Sequence, residues 1–588
     1  MEPSDEKMTE RKIANASTIE NEYEGGTDAE RALESEDGKV TFKTKLAIFT
    51  LIVMYESYLF TQLMPASLLA YINADLGPDT RYPWIAIAWN LGAAIIVTVG
   101  SRLSDIAGRR WFLIIGAVSG AIGALIGATS QSITQSIVSG IIFGLGGGFQ
   151  EMCFACAQEL VPNKYRFRTL GIMIFANHVS SMSILIGYAF IAYTKPRWRS
   201  VYWWCFAWEA FAAVLLFFCY HPPTFETKHK DDHKTKWQLL KELDYIGLLL
   251  FTAGCLFILL GLNWGGGLYK WDSAHVIATI IVGGICFIAL GFWESFVSLK
   301  YPILPPHLFK RWSEFTAYLV LCFVAGMMYY SLSVIWPSQS TLLFINTSDT
   351  ILRGVYASLI AYGNVVAGYY CLLIMPWVKH EKTQLVILFC IETAFLGSMS
   401  SVGIGDKAQA IATVILIQAV NLPPSPLSFG MVSLHLKDQN DIGVAVGLIS
   451  TFRLIGGAIA TAIYTSIQTS KFTSILPGYV QSAALSSGFR GSMTALLKAA
   501  TANTAAAYKA VPGISNQTIA ATQLAVKEAH IKAYSLIYLV AIAFGCVAIV
   551  SALSVKSIDE SQRSKHVAAH LENDKKYLES EGQEVKPQ

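Results

Sequence analysis

Residues 111–130 read WFLIIGAVSGAIGALIGATS, twenty consecutive positions without a charge. At 1.5 Å of rise per residue a helix of that length covers the ~30 Å hydrocarbon core of a bilayer, and nothing in the stretch would resist burial in lipid. The run lies between Arg109-Arg110 and the polar residues around Gln131, so the sequence itself marks where the span begins and ends. Working outward, similar apolar stretches recur near 46–69, 84–101, 135–156, 170–192, 201–220, 244–263, 274–297, 315–337, 354–376, 384–402, 408–431, 442–465 and 534–554. With 111–130 they make fourteen expected membrane helices.

Composition agrees. Of 588 residues, 53% are apolar and 14% charged, with a mean hydropathy of +0.45; soluble chains carry about 25% charge. The charges that exist crowd into residues 1–44 and 556–588, which excludes an ordinary soluble enzyme. A net charge of +3 gives no footprint for nucleic acid. The ten cysteines sit in apolar runs, where thiols behave as small hydrophobes, and no disulfide framework is indicated. An even number of spans puts both termini on one side. Short loops placed with the termini carry seventeen Lys/Arg and those placed opposite carry seven, so the positive-inside bias predicts cytosolic termini. The sequons at Asn346 and Asn516 fall in loops assigned outside and are candidate glycosylation sites. The expected organisation is a disordered cytosolic tail (1–44), a six-helix half (45–220), a charged cytosolic linker (221–243), a helix pair (244–298), a second six-helix half (299–555) that includes an extracellular loop at 468–533, and a cytosolic tail (556–588).

After the second span comes SRLSDIAGRR (101–110), with Asp105, Gly108, Arg109 and Arg110 spaced as in the signature loop of the major facilitator superfamily. In the first span Glu56 precedes Pro65 by nine residues, similar to the acidic residue and proline of fourteen-span drug:proton antiporters. The blocks HPPTF (221–225), DYIGLLLFTAGCLFILLGLNWGGGLYKWDSAHVIATI (244–280) and VIWPSQ (334–339) resemble the fungal trichothecene efflux pump family. The resemblance implies an all-α major facilitator fold in which spans 1–6 and 9–14 form two halves, spans 7 and 8 are an added pair, and the substrate path runs between the halves. It also implies a conformational switch at Asp105, Arg109 and Arg110. Two antiporter features are absent: Gly140 replaces the fourth-span arginine, and the fifth span, FANHVSSMSILIGYAF, lacks a Gly-Pro.

Ionisable groups within membrane helices are the natural functional candidates, because a buried charge needs a partner, water or a proton. Glu56 is mid-span and is the first choice for proton coupling, followed by His178 beside Asn177 and by Glu151 in span 4. Arg453, midway along span 13, cannot discard its charge and needs a carboxylate, carbonyls or an anionic substrate. Glu209 and Glu392 read as structural. In NLPPSPLSFG (421–430), prolines interrupt span 12, and the nearby Gln418 and Asn421 are candidate substrate or cavity residues, with helix packing the equal alternative. No metal-ligand set, cofactor loop or nucleotide motif appears, so no cofactor and no metal are expected. The resulting expectation is a secondary transporter of the plasma membrane, with a vacuolar or vesicle membrane as the alternative location, that exports an amphipathic secondary metabolite or toxin against protons by alternating access. A proton-coupled importer of iron-siderophore complexes and a non-transporting nutrient receptor are the alternatives.

Overall fold

The computed structural model describes residues 40–77, 79, 81–222, 242–265, 269–297, 299, 302–345, 349–436 and 442–563, apart from the side chains of 105–107 and 561. Asn346, most of the N-terminal tail, most of the 221–243 linker and the tail beyond 563 therefore lie outside the described residues, as does the side chain of Asp105. Among the described residues, fourteen helices are long and apolar enough to cross a membrane: Phe42–Ser67, Trp84–Ser104, Arg109–Ala128, Ile133–Glu159, Asn163–Tyr193, Arg199–Cys219, Tyr245–Trp264, Ala274–Phe296, Trp312–Phe344, Thr350–Leu373, Glu381–Ser400, Lys407–His435, Ile442–Ser486 and Asn516–Ser554. They are spans 1 to 14 in chain order.

Side-chain caps start several of these helices where the sequence changes character. Thr41, Ser132, Asp244 and Ser273 each accept a backbone N–H from the first turn, taking up a donor the helix cannot satisfy internally. Gly108 stops the helix of span 2 with φ +97°, a conformation that glycine adopts without strain. Gly140, Gly144 and Gly148 have no room for a Cβ, because the Ile85 and Trp89 carbonyls and the Ile96 side chain press against them. The four-residue spacing thus lets span 4 lie directly on span 2, as small residues do wherever membrane helices approach closely.

Spans 1–6 and 9–14 form two bundles that meet along two seams, span 2 against span 13 and span 5 against span 10. Spans 7 and 8 pack on one another, and span 7 also touches spans 2 and 13. Span 5 is broken at Asn177 and Met182, and span 12 at Leu422-Pro423. The second break falls where the prolines remove backbone donors.

The segment 468–533 is not a loop. Span 13 continues as one helix to Ser486, short helices follow at Met493–Ala502 and Ala505–Lys509, and span 14 begins at Asn516. Leu476, Val480, Leu496, Ala500 and Val526 give this cap a small core of its own, which is why polar, alanine-rich sequence folds there. At the opposite end of the bundle, residues 555–563 are packed rather than loose: Lys556 N–H donates to the Ser313 carbonyl, and Arg563 pairs with Glu381 at 2.5 Å.

Candidate functional site

A cavity of about 1570 Å³ lies between the halves and opens at the end carrying the 468–533 cap. Its walls mix rings such as Trp84, Trp89 and Tyr188 with uncharged polar groups such as Gln62, Asn90 and Asn364. Arg81 and Lys527 are the charged side chains among its described lining residues, both near the mouth, and Arg81 is engaged by Asp79 at 2.7 Å. Tyr329 and Tyr330 of span 9 form part of the floor.

Beneath that floor the two halves share an ion pair. Arg453 of span 13 lies under Tyr329 and Tyr330, with its guanidinium carbon 5.0 and 5.5 Å from the ring centres, and its Nη1 is 3.8 Å from Glu151 Oε1 of span 4. Both residues are buried. Among the described residues neither Glu151 oxygen makes a hydrogen bond of good geometry, although the Tyr58 and Ser450 hydroxyls lie beside it. The pair is therefore loose, and the tyrosine faces supply part of the cation's stabilisation. Aromatic contacts continue from the cavity wall past this level: Trp89 meets Tyr58 at 5.3 Å, Tyr55 meets Phe154 at 4.6 Å, and Phe154 meets Phe429 of the other half at 5.4 Å.

Below the pair the halves are in contact. Thr98 and Thr451 hydroxyls are 2.6 Å apart, Ser101 blocks the space a Cβ on Gly447 would need, and the Arg166 guanidinium donates to the Ser433 carbonyl at 2.9 Å. The cavity is thus open at one end and closed at the other.

Glu56 sits apart from the ion pair. It is 3% exposed, and its Oε2 accepts the Ser180 N–H at 2.9 Å. In an unbroken helix that N–H would bond to the carbonyl four residues back; the interruption at Asn177 frees it for the carboxylate. Oε1 has no partner. His178 adjoins the same break, with Nδ1 at the Phe175 carbonyl and its ring 5.2 Å from Tyr369 of span 10.

Several sequence candidates stand behind the cavity wall. Gln418 donates to Asn364 Oδ1 at 2.9 Å and stands behind that lining residue rather than in the cavity wall itself. Asn421 donates to Glu392 at 2.5 Å and to the Ala325 carbonyl at 3.3 Å. Glu209 is fully buried, and its Oε2 accepts from Gln150 of span 4 at 2.7 Å.

Arg109 is held by Glu159 of span 4, with Nε 3.0 Å from Oε2, and reaches Ser104 Oγ at 3.1 Å. Arg110 donates to the Phe217 carbonyl at 2.5 Å. Asn516 is exposed in the first turn of span 14, and the Thr518 of its sequon is buried with its hydroxyl 2.9 Å from Ser515 Oγ. Glu159, Asn364 and the Tyr329-Tyr330 floor were not singled out from sequence; the tyrosine doublet in an otherwise apolar span was the available signal for the floor.

Outside the membrane, the Arg199 guanidinium and the Trp198 indole, at 2.8 and 2.9 Å, hold the Asp75 carboxyl below the usual carboxylate range. This ties the exit of span 1 to the start of span 6.

Comparison with known proteins places this geometry in a family. The sequence profile of the fungal trichothecene efflux pump family (TRI12) matches residues 22–584. The trichothecene efflux pump TRI12 of Fusarium sporotrichioides is 28% identical over 500 residues, covering 84% of this chain and 83% of that protein. The MFS-type transporter prx5 of Penicillium rubens is 30% identical over 431 residues, 72% of this chain and 76% of the relative. Among solved structures, the proton:xylose symporter XylE superposes with a TM-score of 0.50 at 13% identity, covering 85% of this chain and 95% of that one, a likeness of fold. These matches describe a multi-pass transporter of a small molecule rather than an enzyme, and the chain belongs to the fungal trichothecene efflux pump family of the major facilitator superfamily.

Proposed function

We propose that this protein exports an amphipathic secondary metabolite across the plasma membrane in exchange for protons, alternating between states open to either side. The observation that carries the reading is the cavity between the halves, open at one end and closed at the other, with the Glu151–Arg453 pair bridging the halves directly below its floor. A cavity of about 1570 Å³ lined by rings and neutral polar groups suits a ligand with an apolar body and scattered oxygens. The relatives' names make trichothecenes the first compounds to test.

Coupling follows from the looseness of the pair. Ionised Glu151 holds Arg453 across the interface and keeps the far side closed. Protonation removes that attraction, leaves Arg453 on the tyrosine faces, and lowers the cost of parting the halves. Glu56, confined to one half, is second in line as a proton carrier, and His178 third. The bias of Lys/Arg toward the loops beside the termini supports cytosolic termini, which makes this structure the outward-open state. The experiment is transport in inside-out vesicles holding the full-length protein. An acid interior should drive trichothecene accumulation, abolished by a protonophore. Accumulation insensitive to the protonophore removes proton coupling, and movement of an iron-siderophore complex instead of the metabolite would favour import.

A further inference from the structure

The two seams between the halves are unequal. On the side of spans 5 and 10, contact runs from end to end: a Cβ on Gly171 would strike the Cys371 carbonyl, one on Gly368 the His178 ring, and one on Gly354 the Tyr188 side chain close to the cavity mouth. On the side of spans 2 and 13, the hydrogen-bonded and closest contacts among the described residues lie toward the closed end, at Thr98–Thr451, Thr451 with the Ala94 carbonyl at 3.2 Å, and Gly447–Ser101. Above that level the two spans part, and Asn90 of one and Thr461 of the other face the cavity. A gap here would expose a polar cavity to lipid.

The added helix pair covers the gap. Span 7 rests on both sides of the seam, where Phe251 and Cys255 join Val99 of span 2 and Ile455 of span 13 in one apolar cluster. Its last turn and the residue that caps it deliver Leu262, Asn263 and Gly265 to the cavity wall. The connection to span 8 is fastened to the rim by Trp271, whose indole N–H donates to Ser466 Oγ of span 13 at 2.8 Å. Gly265 makes room for that ring, since a Cβ would sit 2.6 Å from it.

We propose that the added pair is a working wall of the substrate path and that Asn263 is a specificity-determining residue, recognising a hydroxyl on the substrate. Asn263 Nδ2 donates to the Leu259 carbonyl of its own helix at 2.7 Å, which fixes the amide in place. Its Oδ1 is then the acceptor that this lining side chain presents. A site that hydrogen-bonds a hydroxyl discriminates against the congener lacking it more sharply than an apolar wall discriminates by size.

The inference rests on the cavity being the export path, and two measurements keep the claims separable. In purified, nanodisc-embedded protein, Asn263→Cys should react with a charged, water-soluble thiol reagent well above the parent background, whereas Ile288→Cys, on the outer face of span 8 and 62% exposed to the lipid side, should not. This labelling requires no substrate and stands even if trichothecene export fails. In export assays, Asn263→Leu should raise KM about tenfold for a hydroxylated trichothecene, near 1.4 kcal/mol, with less than a twofold change for its O-acetylated congener. Labelling at 263 no faster than at 288 would overturn the wall. A KM shift equal for both congeners, or a loss of Vmax alone, would overturn the specificity role.

Discussion

Two settings of buried carboxylate can be compared, one inside a half and one between the halves, and the proposed mechanism assigns motion to the second and not to the first. Glu209 and Glu392 lie inside the half-bundles, each held by a neutral amide, Gln150 or Asn421, of a helix in the same half. Glu151 lies between the halves, 3.8 Å from Arg453 of the opposite bundle and without a well-formed hydrogen bond. An acid satisfied within one rigid bundle gains nothing from changing its protonation during a cycle. In the proposed cycle, an acid whose charged partner belongs to the other bundle links its proton to the distance between them. The same logic places Glu56 between the two cases: buried within one half, yet bound to the N–H that a broken helix sets free.

The sharpest way to break this comparison is to remove the cation. Arg453→Met strands Glu151 in an apolar interface, and loss of one partner from a buried pair costs roughly 3–5 kcal/mol. Thermal unfolding of the purified variant should show a large loss of stability, with no measurable transport. Arg453→Lys should restore much of the stability while leaving transport reduced, since the ammonium keeps the charge but not the planar stacking on Tyr329 and Tyr330. Near wild-type stability and transport in both variants would remove the pair from the mechanism.

Glu56→Gln comes next. It preserves size and a hydrogen-bond acceptor for Ser180, so substrate counterflow should persist while gradient-driven accumulation falls severalfold. An unchanged response to the pH gradient would assign Glu56 a purely structural role.

How much of this could be read from the sequence depends on what a hydrophobic helix conceals. Fourteen spans and the break at the span-12 prolines follow from length and backbone chemistry. The direction each polar residue faces does not, because a helix that is apolar all round carries no amphipathic stripe to fix its rotation. Asn421, next to a proline break, read as a cavity residue and instead points at Glu392. Arg453 announced its need for a partner, but nothing local could identify that partner as Glu151, some 300 positions away. The helical cap was equally hidden. Its polar, alanine-rich sequence suits a surface helix as well as a loop, and its small core forms only when the ends of spans 13 and 14 are brought together.

Smaller effects are expected within the bundles. Glu209→Gln and Glu392→Gln should each leave the pH dependence of transport intact and its rate within about twofold, measured in the same vesicles. Loss of proton drive in either would collapse the distinction between the two settings. Smallest is Asp75→Asn at the membrane surface. The Asp75 carboxyl is held below its usual range by Arg199 and Trp198, so its stabilising contribution is present above the unfolded-state value and fades as pH falls through the lower folded-state value. The variant should therefore show a slightly lower Tm at neutral pH and converge on the wild type in acid. Because the pair is partly exposed, the difference should be no more than a few degrees.

The central claim is that protonation of Glu151 links the two halves, and Glu151→Gln tests it directly, since the amide imitates the protonated acid. In proteoliposomes containing the full-length protein, wild type should accumulate a transported trichothecene under an imposed pH gradient. Glu151→Gln should lose at least tenfold of that accumulation while exchanging substrate down its concentration gradient at a comparable rate. Gradient-driven accumulation by Glu151→Gln equal to that of wild type would contradict the account.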